Sequence, residues 1–466
     1  MSETKKTNPI SERVKECKHH LKKVYREGLC VLEATNKKCS QRKGLLALGF
    51  LYKIVLDIYF MFVVSHYWQV DGLVCRPSAD RFLVSWIVYI IGYWSILKVV
   101  NYIVSVFLHL QWVLIIAPMI VLFGMQQEHS FIYLIVVLMV LILQVQVGKK
   151  NHRMRAISLA EGRIRPYCTI TCCILIAAIW IIMVVWNNFE GLKAFNITYI
   201  YEMRSHLVFP PMFGYLVSWI TRAILPWIFV LGLFKKNVFL ILYSCIFQAL
   251  YYMVLGYKSI LLIMGIVFII YLLSTYRILI VGTYIGLISG IVLGTICGFV
   301  EKFSGATASL LFNGILGERT LFIPALIKFQ FYDFFSHFPK IHFADGMIGK
   351  LFSEANLYKY GSGIIVYAYN NGGSLAVESN TGYLGDSYAQ LGFVGMMLIG
   401  AMVILLVRFI SGYCKHVPEQ FLCCVAGCIA VVLNDSAFFT ALMTGGIGIW
   451  IMMLLLYTGR NENDKL

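Results

Sequence analysis

Apolar runs long enough to cross about 30 Å of hydrocarbon recur along almost the whole chain, and no water-soluble fold could bury them all. They lie near 45–64, 83–105, 110–125, 130–147, 167–187, 211–234, 237–255, 259–274, 278–299, 390–410, 419–439 and 441–457. This pattern predicts an all-α polytopic membrane protein of about twelve transmembrane helices. Composition agrees, with 59% apolar and 13% charged residues, where a soluble domain is about half apolar and about a quarter charged. Lys98 and His109 interrupt 83–125, and Lys258 interrupts 237–274.

The formal charge of +16 would suit nucleic acid if it were gathered on a soluble face, but it is not. Residues 1–43 carry twelve Lys/Arg against five Asp/Glu, and 148–166 carry six against one. The long polar stretch 300–389 carries six basic against seven acidic residues. Positive charge confined to alternate connections is the signature of the positive-inside rule. It predicts cytoplasmic N- and C-termini, with 148–166, Lys235-Lys236, Arg277 and 408–416 inside and 65–81, 188–210 and 300–389 outside. The expected organisation is a basic cytoplasmic tail (1–43), a first part of the bundle (44–299), one large external loop between spans 9 and 10 (300–389), the rest of the bundle (390–457) and a cytoplasmic tail (458–466). Membrane lipid is then the surface this chain meets, and nucleic acid is not expected as a partner.

The polar N-terminus before Leu45 does not read as a cleavable signal peptide. Thirteen cysteines lack any CxxC pair, and nearly all lie in spans or basic connections, so they read as small hydrophobes. No HExxH or Cys/His spacing suggests a metal, and no glycine-rich loop suggests a bound nucleotide, so no cofactor is expected.

A charge within or beside a span is costly and marks a function or a paired structural role. Arg222 stands mid-span in Val217-Ser-Trp-Ile-Thr-Arg222-Ala-Ile-Leu-Pro226. Arg204 lies just before that span, Lys258 lies at the turn Gly256-Tyr-Lys258-Ser259, and Arg319 opens an apolar helix within the long loop. Cations gathered at one face suit an anionic lipid headgroup, because guanidinium forks match phosphate oxygens. Plainer roles stand beside this one: Arg204 can pair with Glu202, Arg319 can pair with Glu318, and Lys258 can snorkel to the interface. Arg222 resists such a reading, since a mid-span guanidinium needs a partner or water.

The external carboxylates are Asp333, Asp345, Glu354, Glu378 and Asp386, and a pair of them could serve as general acid and base. Spacing alone identifies no pair. His337 has the intrinsic pKa of a base but reads equally as a surface histidine. The run Ser379-Asn380-Thr-Gly382-Tyr-Leu-Gly385-Asp386-Ser-Tyr388-Ala interleaves amides, hydroxyls and rings with glycine. Such a run suits a sugar, and it suits a turn and helix cap as well.

Taken in order, Tyr201-Glu-Met-Arg204, Ile224-Leu-Pro226, Gly256-Tyr-Lys258-Ser259, Arg319-Thr-Leu-Phe-Ile-Pro324, Tyr332-Asp-Phe-Phe335 and Asn380-Thr-Gly-Tyr-Leu-Gly-Asp386-Ser-Tyr388-Ala resemble the bacterial O-antigen or oligosaccharide repeat-unit polymerases. The resemblance runs from about residue 195 to 440, and the first 190 residues share only hydropathy. Where the pattern expects an acidic or amide residue after Tyr-Asp-Phe-Phe-Ser, this chain has His337, so no role carries over to it. The resemblance implies a GT-C-like glycosyltransferase of the bacterial inner membrane, acting at the periplasmic face. Its substrate would be an undecaprenyl-pyrophosphate-linked oligosaccharide, and a chain-length regulator protein would be a partner. Arg204, Arg222, Lys258 and Arg319 would then hold the pyrophosphate, Asp386 or Asp333 would take the acceptor's proton, and Asn380 and Tyr388 would contact the glycan. The rival readings are the related O-antigen ligase, a lipid-linked oligosaccharide flippase and a structural scaffold.

Overall fold

A computed structural model describes residues 42–149, 165–187, 212–304, 312–345, 357–375, 377–414 and 417–456. Arg204, Glu202, Glu354 and both terminal tails lie outside the described residues. Within them the chain is helical, without strands. Nine helices are long and apolar enough to cross a bilayer: α1 (Arg42–Tyr67), α3 (Tyr102–Met125), α4 (Phe131–Lys149), α5 (Thr169–Trp186), α6 (Phe213–Lys235), α7 (Val238–Leu255), α8 (Lys258–Thr275), α9 (Leu279–Val300) and α12 (Tyr383–Tyr413). The helices α2 (Ala79–Ile96), α13 (Glu419–Asp435), α14 (Phe438–Met443) and α15 (Ile447–Leu456) occupy the remaining apolar runs.

α3 is the axis of the bundle, with 94% of its apolar window buried, whereas α5, α8 and α9 turn most of theirs outward. A helix that is apolar all round can serve either way; its neighbours decide. The expected break between the second and third spans, at 105–110, falls instead at 97–101. There Asn101 caps α3 by accepting from Val104 N at 3.2 Å. His109 therefore sits inside α3, buried, 3.1 Å from Tyr284 OH.

Prolines shape the site-bearing helices. Three π-helical turns, Trp112–Ile116, Ile220–Ile224 and Gly314–Phe322, each run into a proline: Pro118, Pro226 and Pro324. A proline ring clashes with the carbonyl four residues back and supplies no N–H, so the chain widens there and leaves carbonyls without helical partners. In a lipid-embedded bundle those carbonyls need other donors, and side chains from elsewhere provide them. Tyr52 OH donates to Val113 O at 2.8 Å. Trp450 Nε1 donates to Arg222 O at 3.1 Å, Gln248 Nε2 to Thr221 O at 3.0 Å, and Asn434 Nδ2 to Thr320 O at 3.1 Å. A fourth π-helical turn, Phe60–Val64, precedes no proline.

The stretch expected to be an external loop is mostly helical where it is described. The turn Gly314–Phe322 continues as α10 (Ile323–His337), which packs into the bundle with Leu321, Phe322, Ala325, Lys328 and Phe329 buried. Phe322 lies against Phe60 of α1, ring centroids 4.9 Å apart. A shorter helix, α11 (Ser362–Asn370), follows.

α12 holds a joint. Leu391 and Gly392 leave helical geometry, and Gly392 takes φ +64°, a conformation that costs a side-chain-bearing residue about 1 kcal/mol or more. The segment from Tyr383 to Gln390 is thus a separate short helix, which lengthens the span expected at 390–410 and turns its start.

Candidate functional site

One residue joins the turn that carries Arg319 to the helix that carries Asp386. Asn434, buried near the C-terminus of α13, receives Lys328 Nζ on its carbonyl at 2.7 Å and on its amide oxygen at 3.2 Å. Its amide nitrogen donates to Thr320 O, beside Arg319. Its carbonyl also lies where a Cβ on Gly382 would be, so the short helix carrying Asp386 docks directly on it. Gly382→Ala is expected to push that helix off Asn434, at about 1–3 kcal/mol for overpacking. A lowered midpoint of thermal unfolding in detergent would report it, whereas an unchanged midpoint would show the contact to be slack.

Lys328 is buried and donates a third bond, to Pro324 O at 2.9 Å. Three acceptors match the three protons of an ammonium. Burial pulls its pKa down to about 7, and the field of Asp435 opposes that fall. By bonding Asn434 O, Lys328 also places a cation at the negative end of α13.

Asp435, the next residue, is exposed and lies within electrostatic reach of Lys328 and Arg222. Arg222 is half-buried on the π-helical turn Ile220–Ile224, its backbone pinned by Trp450 and packed against Gly446. Gln248 ties this turn to the start of α8 by donating to Thr221 O and, at 2.6 Å, to Ile260 O. Lys258 is exposed at the N-terminus of α8, where the helix dipole already favours an anion. Arg319 is exposed on its own π-helical turn. Among the described residues, Arg222, Lys258 and Arg319 form no ion pair. Arg319 still opposes the rise that burial imposes on the Glu318 carboxyl, a rise that Asp71 reinforces.

A second group lies at the α12 joint. Gln390 Nε2 donates to Asp386 Oδ1 at 3.1 Å and to Asp345 Oδ1 at 3.2 Å, so one amide bridges two carboxylates. Its Oε1 accepts from Phe343 N at 2.6 Å, and its carbonyl accepts from His342 N at 3.3 Å. His342 and Phe343 both take positive φ, +54° and +66°. Two successive non-glycine residues in that region store strain, and Gln390 holds the strained turn in place.

Tyr388 is buried in an aromatic group beside this pair. Its ring centroid lies 4.9 Å from Tyr332, 5.2 Å from Phe393 and 5.8 Å from Tyr133. Lys340 Nζ stands 4.1 Å over the Tyr388 ring and donates to Phe335 O, and burial lowers its pKa. The Tyr133 hydroxyl is buried without a partner among the described residues. Asn380 is exposed on the approach to α12.

Asp333 stands apart from the Asp386 pair. It is exposed on α10, with His337 Nδ1 4.0 Å from its carboxylate. Sequence reasoning misses Lys328, Asn434 and Asp435, although a lysine inside an apolar helix was a visible signal. It also misses Lys53 and Asp57, a buried pair 2.5 Å apart one helical turn from each other in α1. Opposite charges at that spacing within a span would have revealed it.

Fold and composition define this chain as a polytopic helical membrane protein with charged groups gathered around α13 and α12. No protein-family profile, curated protein or solved structure matches it.

Proposed function

We propose that the chain is an oligosaccharide repeat-unit polymerase, a membrane glycosyltransferase that uses a polyprenyl-diphosphate-linked donor. The observation that carries this reading is the Asn434 junction, which brings Arg319, Lys328, Asp435 with Arg222 in reach, and the Asp386 helix to one place in the bundle. In this reading the twelve apolar runs all cross the membrane, in a GT-C-like bundle whose Asn434 end faces the periplasm.

Arg222, Lys258 and Arg319, with Arg204 from outside the described residues, hold the diphosphate and stabilise charge on the departing lipid diphosphate. The acceptor hydroxyl attacks the anomeric carbon, the bond from that carbon to the phosphate oxygen breaks, and the hydroxyl proton passes to Asp386. The Tyr388 group covers the apolar face of a sugar, and Asn380 bonds its hydroxyls. Asp333 fits less well as the base, because it lies outside the Gln390 bridge.

Asp386→Asn is expected to abolish polymer. Gln390→Leu should lower turnover per folded protein by about 10²-fold through misplacement of the carboxylate, with Asp386→Asn at a normal membrane level. Turnover is measured in proteoliposomes supplied with the lipid-linked repeat unit, and a fully active Asp386→Asn protein would remove Asp386 from the mechanism.

The buried Lys53–Asp57 pair favours a second reading, a lipid-linked oligosaccharide flippase, since intramembrane charge often serves transport. Gel analysis of surface glycan in a strain lacking the protein separates the readings. Single capped repeats indicate a polymerase, long polymer left on its carrier indicates a ligase, and loss of exported repeats indicates a flippase.

A further inference from the structure

One half-buried cation beside the proposed glycan contacts has donors to spare. Lys340 Nζ stands 4.1 Å over the Tyr388 ring and donates one proton to Phe335 O. An ammonium carries three protons. The others meet no acceptor among the described residues, and Lys340 forms no ion pair there. A ring face attracts a cation without cancelling its charge. Burial lowers the pKa of Lys340, and no carboxylate among the described residues offsets that fall.

The ammonium is nevertheless held in place. Its stem packs at the α12 joint, where Cε lies 3.5 Å from the position of a Cβ on Gly392. The residues that follow cap the short helix carrying Asp386: Ile341 N donates to Ala389 O at 3.0 Å and His342 N to Gln390 O at 3.3 Å. Beyond the end of α10, Phe338 and Tyr369 are exposed, their ring centroids 5.8 Å apart and their planes nearly perpendicular. A charge with unspent donors and open ring faces thus occur together next to the proposed base.

We propose that Lys340 is the anion-binding residue of a glycan subsite and pairs with the carboxylate of an acidic sugar in the repeat unit. This inference rests on the polymerase reading, and it adds that a sugar of the uronic-acid class lies close to the reacting one. The unspent protons of Lys340 match the oxygens of one carboxylate, a charge-assisted pair. Exposed rings pack against the C–H face of a pyranose, whose hydrogens meet the negative face of the ring. A bare phosphate has no such face to offer. A neutral sugar in the same place leaves a half-buried charge unanswered, so it binds more weakly.

The test is equilibrium binding of three probes, methyl glucuronide, methyl glucoside and inorganic phosphate, to the full chain in phosphatidylcholine nanodiscs, read by saturation-transfer NMR. The wild-type protein should bind the glucuronide about tenfold more tightly than the glucoside. Lys340→Met keeps an apolar stem over Tyr388 and should erase that preference while glucoside affinity stays unchanged. Lys340→Arg keeps the charge and should retain most of the preference. Equal affinity for the two glycosides, binding of neither, or a preference that survives Lys340→Met would overturn this inference. The polymerase reading would then still be judged separately, by the surface glycan of the strain lacking the protein. Inorganic phosphate displacing the glucuronide at equal concentration would identify a phosphoryl group as the ligand and overturn the acidic-sugar assignment.

Discussion

Arg222→Gln should reduce polymer formation by about 10²–10³-fold, the usual cost of removing one preorganised donor from a site where charge develops. The fold should survive this change, because the neighbours of Arg222 hold its backbone rather than its guanidinium. Trp450 bonds the carbonyl, Gln248 bonds the carbonyl before it, and Gly446 packs against its Cβ. Arg222→Lys should recover part of the activity, since an ammonium supplies charge without the bidentate fork. The measurements are glycan length on gels, protein level in the membrane and the thermal midpoint in detergent. Full-length polymer from Arg222→Gln would remove this residue from the headgroup site. A collapse of protein level would show that the guanidinium is structural after all.

Asn434→Leu should be the most destabilising single change near the site, by about 1.5–3 kcal/mol, because it takes one of three acceptors from a buried ammonium. It also leaves Thr320 O, freed by Pro324, without its donor, which adds about 1–3 kcal/mol. Lys328→Met should cost much less, since it removes the charge along with its need for acceptors. Adding Lys328→Met to Asn434→Leu should therefore recover part of the lost stability, an interaction that a double-mutant cycle reads directly. Chemical unfolding of the four proteins in mixed micelles supplies the four energies. Additive losses would show that Lys328 and Asn434 act independently and that the junction is not an energetic unit.

Part of the site could be found from sequence because a charge in an apolar setting announces itself. Arg222 and Arg319 stand out this way, and Asp386 stands out within a glycine- and amide-rich approach to a helix. Asn434 and Asp435 do not, since the apolar run 419–439 conceals the end of α13 at Asp435. The pairing of Asp345 with Asp386 was illegible for a different reason. It depends on Gln390 meeting a strained turn 47 residues earlier in the chain, and spacing carries no information about such a meeting. His109 shows the same limit inside a helix: polar in sequence, it reads as a break, yet a tyrosine from α9 satisfies it.

The amino-acid sequence alone determined that this chain lives in lipid as a bundle of helices, because hydropathy and charge alternation depend only on composition along the chain. It also determined where those helices would distort, since Pro226 and Pro324 act on the carbonyls four residues before them wherever they are placed. Which donors answer those carbonyls was decided only in three dimensions. Trp450 and Asn434 come from the far end of the chain, and they bond the carbonyls of Arg222 and Thr320. A carbonyl without a partner is a local fact, but its partner is chosen by packing.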